Sequence, residues 1–460
     1  MTKFDTQIII LDIYLTMFEN VKKIYIMGIG GISMSAIALL LKDRGFIVSG
    51  CDSHLSSLTQ KLEKEGIKVL EGSAPEFAKE CDACIITSAI GEDNRDIKLL
   101  KELGKTILSR SQVLGFLASE KKCISISGTH GKTTTTGMLA TIMLKAGLDP
   151  TIHIGGILNE INSNLHIGKG EYFLTEACEY KDSFLSLNSY ISVVLNIEPD
   201  HMDYFKNEDN LHNSFKKFAK NTEKYGFCVI NNNINNILYD KSLNTLTYGQ
   251  GGFLQARDIK QHLPGRYAFN LYIDNQYIDE IKLSAFGIHN IENSLAVIGV
   301  SLLLDIDLSI IKEGLLEYKG VARRMEHVSD SPFVIHDYAH HPTEIRATLS
   351  ACKQMSERIV AIFQPHTYTR TQDLYSEFLS CFDGASEVWL LPIYAARENP
   401  IEGITSEQLV KDLNERGIKS RYFPSFEECK QVILEGDNNN LFVILGAGDI
   451  EKLANMMKKQ

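Results

Sequence analysis

The stretch most able to do chemistry is CISISGTHGKTTTTG, residues 123–137. An apolar, β-branched approach through Ile124 and Ile126 leads into a tight loop, Gly128-Thr129-His130-Gly131. Lys132, Thr133 and Thr134 follow and can open a helix. Strand, glycine loop and helix in that order cradle a triphosphate, because loop and helix N–H groups point at the phosphates and the helix dipole favours negative charge. Lys132 is placed to reach the β- and γ-phosphates, and the Thr133 hydroxyl to sit on a magnesium ion. As a solvent-facing loop residue, Lys132 is expected to add little to packing. Only two residues, not the usual four, separate Gly128 from Gly131-Lys132, so the loop alone is a weak signal.

Three clusters downstream strengthen it. FLTEACEY reads as a strand that delivers Glu176 and Glu179, and a carboxylate at a strand end suits magnesium. For Glu179 the alternative is a solvated surface charge. VVLNIEPDHMDYF is a buried strand followed by Asn196, Glu198, Asp200 and His201, more polar groups than a plain turn requires. A histidine at such a site is unusual for magnesium, which prefers oxygen, whereas manganese tolerates the nitrogen. FGIHNIENSLAVIGV places His289, Asn290 and Asn293 at the start of an apolar helix, where capping is the plain alternative. Farther on, adjacent Arg323 and Arg324 diverge in an extended segment, so one can face a phosphate while the other pairs locally. His336, Asp337, His340 and His341 do not make a zinc helix, because Pro342 and the preceding strand forbid it.

Around these residues the chain must build several α/β layers. Its 460 residues suffice for two to four domains, and 44% hydrophobic with 23% charged residues is a globular composition. A net charge of −11 argues against general binding to nucleic acid or anionic membrane, so phosphates must be held by local loops and a few placed cations. The nine scattered cysteines read as reduced thiols of a cytoplasmic protein, and Cys81 and Cys84 as packing residues rather than half a zinc site. Residues 1–16 are expected to be a dispensable extension: their apolar run, 8–15, is broken by Asp12 and is too short to span a bilayer.

From KIYIM onward, strands alternate with helices, and Gly28-x-Gly30-x-x-Ser33 with Gly31 comes close to a dinucleotide fingerprint, Asp52 lying about the right distance on. Serine replaces the third glycine, so the supported reading is a nucleotide diphosphate on a helix N-terminus rather than a nicotinamide cofactor. Thr87, Ser88, Asn94 and Arg110 fall at or beyond later strand ends, where such folds bind ligands. LPGRYAFNLYIDNQYIDE reads as a small antiparallel excursion. FVIHDYAHHPTEI, RIVAIFQPHTYTRT, EVWLLPIYAARENP and LFVILGAGDI form a last α/β layer of strands ending in polar loops.

In order, GTHGKTTTT, EACEYKDSFL, NIEPDHMDYF, FGIHNIENSLA, GVARRMEHV, DYAHHPTEI, FQPHTYTRT and GAGDI resemble the Mur ligase family. The resemblance implies three α/β domains. These are a Rossmann-like sugar-nucleotide domain over 17–120, a central ATPase domain with a mainly parallel sheet over 121–320, and a Rossmann-like amino-acid domain over 321–460. It implies ATP-dependent joining of L-alanine to the lactyl carboxylate of UDP-N-acetylmuramate through an acyl phosphate, for peptidoglycan precursors, with a murein tripeptide as the alternative acceptor. Thr133 and Glu176 would hold one magnesium, and His201 a second, with manganese able to substitute. Lys132, Glu176 and His201 would carry the catalysis, with Gly128 to Thr134 around the phosphates.

His289, Asn290 and Asn293 would face the adenine and nearby phosphates, Arg324 would reach in, and Asp337 would hold the ribose. Gly28, Gly30, Gly31, Ser88 and Arg110 would serve the sugar nucleotide, and Tyr338, His340 and Arg370 the L-alanine. A monomer or weak homodimer is expected. Two departures stand out. Thr367 sits where many relatives carry arginine, leaving one clamp arginine, and GEDNRDI replaces a common pattern near the expected uridine contacts. No residue is assigned as a carbamylated lysine.

Overall fold

The computed structural model describes residue 18 and residues 20–87, 90–396, 398–437 and 439–458. The expected extension 1–16 and Ser88 lie outside the described residues. Contacts divide the chain into two units: 1–258 with 270–281 and 291–318, and 319–460 with 259–269 and 282–290.

The first unit begins with a five-stranded sheet in the order β3-β2-β1-β4-β5. Its strands are β1 (Lys23–Met27), β2 (Ile47–Asp52), β3 (Lys68–Glu71), β4 (Ala83–Ile86) and β5 (Thr106–Ser109). All four pairings are parallel. Strand order reverses between β1 and β4, and the crevice beyond their carboxyl ends is where open α/β sheets take ligands. The glycine turn 28–31 follows β1 there and leads into the helix Ile32–Asp43.

A ten-stranded sheet follows, ordered β15-β14-β13-β12-β11-β10-β6-β9-β7-β8. Five of its strands matter for the site: β6 (Lys122–Ser127), β7 (Thr151–Leu158), β8 (Ser163–His166), β9 (Tyr172–Glu176) and β10 (Ser189–Val194). β6 is buried from Cys123 to Ser127, the pattern of a parallel strand covered on both faces. Its neighbours β9 and β10 run parallel to it, with Ile126 opposite Glu176 and Ser127 opposite Val194. The loops after three central strands are thereby brought to one edge of the sheet. The helix Lys132–Lys145 packs against β6, β7 and β9 and against the helix Leu308–Glu317. Close approach there needs glycine, since a Cβ on Gly314 would lie 2.6 Å from Ile142 Cγ1.

The remaining strands are β11 (Thr222–Asn231), β12 (Thr245–Tyr248), β13 (Leu254–Leu263), β14 (Arg266–Ile273) and β15 (Gln276–Phe286). The last three are neighbours in sequence and in the sheet, joined by turns so short that they must run antiparallel, which is the expected excursion. Residues 259–269 and 282–290 group with the second unit, so His289 and Asn290 belong to it and Asn293 to the first.

The second unit carries a six-stranded sheet, β16-β17-β21-β18-β19-β20. Its strands are β16 (Glu326–Asp330), β17 (Phe333–Asp337), β18 (Ile359–Phe363), β19 (Glu387–Leu390), β20 (Ser420–Tyr422) and β21 (Leu441–Leu445). β16 is an antiparallel edge, and the other pairings are parallel. Asp337 and Phe363 both lie opposite Leu445, so the loops after β17, β18 and β21 share one end of the sheet. Among the described residues, no helix is long and apolar enough to cross a membrane.

Candidate active site

The glycine loop has the conformation its sequence demands. Gly128 and Gly131 take φ of 141° and 85°, in the left-handed half of the map that other residues avoid. A Cβ on Gly131 would meet Asn293 Oδ1 at 2.7 Å, and one on Gly128 would meet Leu195 Cβ at 3.0 Å. The loop after β10 holds this turn in place. Asn196 accepts from His130 N–H at 2.8 Å and donates to the His130 carbonyl at 3.2 Å. The Thr129 hydroxyl accepts from Glu198 N–H at 2.9 Å and donates to its carbonyl at 3.2 Å. The polar groups after β10 are thus a brace for the glycine loop.

Lys132 is not the solvent-facing residue expected from its place in a loop. Its ammonium donates to Glu179 at 2.9 Å and to the Gly128 and Thr129 carbonyls, with the side chain 17% exposed. Glu179 is buried, which excludes the alternative of a solvated surface charge. The reason is the pairing of β9 with β6, which brings the chain after β9 against the loop after β6 and sets Glu179 on Lys132, where burial of a carboxylate requires a cation.

Thr133 donates to Glu176 Oε2 at 2.9 Å, and Gly155 N–H donates to Oε1 at 2.6 Å. Hydroxyl and carboxylate therefore stand together at the helix start, a hard oxygen pair of the kind magnesium takes. His201 lies in a second group. Its ring, with Glu179 and Asp200, offers ligand atoms that all fall within 4.8 Å of one another. The His201 backbone is left-handed, φ 53°, and its ring lies 4.7 Å from that of Tyr180. Thr134 follows in the first turn of the helix Lys132–Lys145, whose N-terminal N–H groups are of the kind that suit an anion.

On the amino-terminal sheet, Gly28 is also left-handed at φ 75°, and a Cβ there would lie 3.1 Å from Thr87 Cγ2. Asp52 accepts from Gly30 N–H at 2.9 Å, and a Cβ on Gly30 would stand 3.0 Å from its carboxylate. Asp52 braces the turn, so the partial dinucleotide pattern has a structural cause without a nicotinamide cofactor. Gly31 caps the following helix, and Arg110 donates to the Ser33 hydroxyl at 3.2 Å.

In the second unit, Asn290 is buried and donates to the Phe286 carbonyl at 2.6 Å, which makes it a brace at the helix start. His289 is neutral at pH 7, because burial pushes its pKa below the usual value. Of the adjacent arginines, Arg323 pairs locally, with Glu451, and lies over the Tyr338 ring, while Arg324 is exposed. Asp337 is buried, and its oxygens accept from Met325 and Ala339 N–H at 2.8 and 2.9 Å. Its first task is to lock the turn around the arginines, and a ribose contact would use only its remaining lone pairs. Tyr338, His340 and Arg370 are brought together through His366. The His340 ring lies 5.2 Å from Tyr338 and 5.9 Å from His366, and Arg370 reaches His366 Nδ1 at 3.0 Å. Burial first, then the charge of Arg370, lowers the His366 pKa, which leaves the ring neutral to accept from the guanidinium.

Sequence reasoning singled out Glu179 and Asn196 as polar groups beyond strand ends but did not foresee that one would pair with Lys132 and the other with the His130 backbone. It gave His366 no role of its own, and nothing local marks that residue as the link between His340 and Arg370.

Family models cover most of the chain: the "Mur ligase family, catalytic domain" matches 23–122, the middle domain 126–301, and the "glutamate ligase domain" 323–448. The chain belongs to the Mur ligase family. It is 43% identical to a UDP-N-acetylmuramate–L-alanine ligase of Clostridium botulinum, over 95% of this chain and 97% of that one. It is 42% identical to the ligase of the same name from Acetivibrio thermocellus, over 95% and 96%. The solved UDP-N-acetylmuramate–alanine ligase of Thermotoga maritima superposes with a TM-score of 0.77 at 28% identity, covering 95% of this chain and 98% of that one. A murein peptide ligase from Psychrobacter arcticus shares the fold, with a TM-score of 0.65 at 22% identity over the same shares.

Proposed function

We propose that this chain is an ATP-dependent ligase that joins L-alanine to the lactyl carboxylate of UDP-N-acetylmuramate in the making of peptidoglycan precursors, in the cytoplasm where ATP is supplied. The observation that carries the reading is the meeting of the loops after β6, β9 and β10, which gathers Lys132, Thr133, Glu176, Glu179, Asp200 and His201 at one sheet edge. The relatives named for this reaction are similar over nearly the whole chain.

The chemistry brings two anions together, the lactyl carboxylate and the triphosphate. The carboxylate oxygen attacks the γ-phosphorus, ADP leaves, and the L-alanine amine then attacks the acyl phosphate carbon and expels phosphate. Catalysis of such a transfer is mostly placement and charge neutralisation. Loop N–H groups and those of the helix Lys132–Lys145 hold phosphate oxygens, and the Lys132 ammonium neutralises charge as the γ-phosphoryl moves. Thr133 with Glu176, and His201 with Glu179 and Asp200, would hold magnesium, whose double charge offsets the repulsion between the two anions. Oxygen donors dominate both groups, which fits that ion. His289, Asn290, Asn293, Arg324 and Asp337 are assigned to ATP, and Gly28, Gly30, Gly31 and Arg110 to the sugar nucleotide. Tyr338, His340 and Arg370 are assigned to L-alanine, with the Arg370 guanidinium gripping the carboxylate and so aiming the amine.

The test is phosphate release from ATP with UDP-N-acetylmuramate, offering L-alanine, glycine, L-serine or a murein tripeptide. L-alanine should give the highest kcat/KM. A preference for the tripeptide would replace this reading with a recycling ligase.

A further inference from the structure

Among the buried titratable side chains that the phosphate chemistry does not use, His153 stands between two parts of the first unit. His153, on β7, is 3% exposed, yet both ring nitrogens have polar partners. Nε2 lies 2.9 Å from the Ser33 hydroxyl, and Nδ1 lies 2.9 Å from the Thr175 hydroxyl. Ser33 stands in the first turn after the glycine turn 28–31, and its oxygen is also the acceptor for Arg110 at 3.2 Å. Thr175 precedes Glu176 on β9 and donates its own hydroxyl to the Glu176 carbonyl at 3.1 Å. A hydrogen-bonded line therefore runs Arg110, Ser33, His153, Thr175, Glu176. It joins the sugar-nucleotide turn to the strand end that carries the metal-facing carboxylate.

The ring is suited to that place. Burial first, and the charge of Arg110 second, push its pKa down to about 3, so it is neutral at pH 7 and has one donor and one acceptor nitrogen. With the Thr175 hydroxyl committed to the Glu176 carbonyl, satisfying every group assigns the ring proton to Nδ1 and leaves Nε2 to accept from Ser33. A second tie supports the same seam, because Asn164 on β8 donates to the Ile32 carbonyl at the start of the helix Ile32–Asp43.

We propose that His153 is a positioning residue, which holds the Ser33–Arg110 pair in register with the Glu176 end of β9 so that the bound sugar nucleotide presents its carboxylate to the phosphate loop. This rests on the ligase reading above, and wild-type turnover of UDP-N-acetylmuramate, ATP and L-alanine tests that reading separately. His153→Phe keeps the bulk and removes both hydrogen bonds. It should weaken calorimetric binding of UDP-N-acetylmuramate, measured without metal or ATP, by roughly tenfold, the scale of one or two neutral hydrogen bonds. The KM for UDP-N-acetylmuramate should rise alongside, while the KM for L-alanine stays near wild type. His153→Gln, which keeps a donor and an acceptor, should recover most of the loss. Ser33→Ala leaves the core intact and decides the matter if His153→Phe fails to fold. It should reproduce the binding loss, and the double variant should be no worse than either single one, because both cut the same line. Unchanged affinity in the single variants, or losses that multiply in the double, would overturn the proposal.

Discussion

Lys132→Ala should damage stability as well as rate, and the two losses should be separable. The ammonium is the cation for Glu179, whose side chain is 2% exposed and 2.9 Å away. Removing one partner of a buried pair costs about 3–5 kcal/mol when nothing else compensates. Lys132 is partly exposed, so the native pair is screened, and a loss of about 2–3 kcal/mol is expected. For a domain of about 200 residues this lowers Tm by roughly 4–12 °C.

Ligation should fall a hundredfold or more, since loss of a charge from the phosphoryl-transfer transition state costs about 3 kcal/mol. The double variant Lys132→Ala/Glu179→Gln removes the orphaned charge, and it should regain most of the melting temperature and none of the activity. The assays are thermal melts at pH 7 and phosphate release. A Lys132→Ala protein that melts with wild type at pH 7 would refute the ion-pair argument. Half the wild-type rate in a folded variant would remove the loop from the mechanism.

His201→Ala should depress turnover across a magnesium titration more than it weakens UDP-N-acetylmuramate binding, and unchanged titration curves would return His201 to a structural role. Arg370→Ala should raise the KM for L-alanine roughly 10- to 150-fold, the range of a hydrogen bond to a charged group of about 1.5–3 kcal/mol, while acyl phosphate still forms and can be trapped. Equal loss of both steps would refute the clamp. In the second unit burial alone would raise the Glu326 pKa, but the nearby His336 ring and hydrogen bonds from Lys458 and the Arg323 N–H hold it down at about 2. The stability this contributes is present above the ordinary carboxylate range near pH 4 and is lost as pH falls towards 2. Glu326→Gln should therefore be less stable than wild type at neutral pH and approach it in acid melts. A deficit that stays constant with pH would show that the carboxylate charge is not the cause.

The local pieces were legible in the sequence because each follows from short-range physics. Ile124 and Ile126 before Gly128, and Gly131-Lys132-Thr133 after it, define strand, turn and helix within fifteen residues, and all three are present. The carboxylate at the end of β9, the polar loop after β10 and the alternation of strands and helices were equally local. The ordered motifs supplied the family, and with it roles for Tyr338, His340 and Arg370 that no spacing could yield.

What the tertiary structure decided is which distant residues meet. Strand order places β9 and β10 on either side of β6, although a sequence of alternating strands and helices is compatible with several orders. That adjacency buries Glu179 against Lys132 and sets Asn196 on the His130 backbone, 66 residues away. His153 shows the limit most plainly. In PTIHIGG it is one polar residue inside an apolar strand, and its partners, Ser33 and Thr175, lie 120 and 22 residues away. A side chain's hydrogen-bonding capacity is written in its residue type, but its partners are chosen by long-range packing, because only the folded sheets bring those atoms within 3 Å.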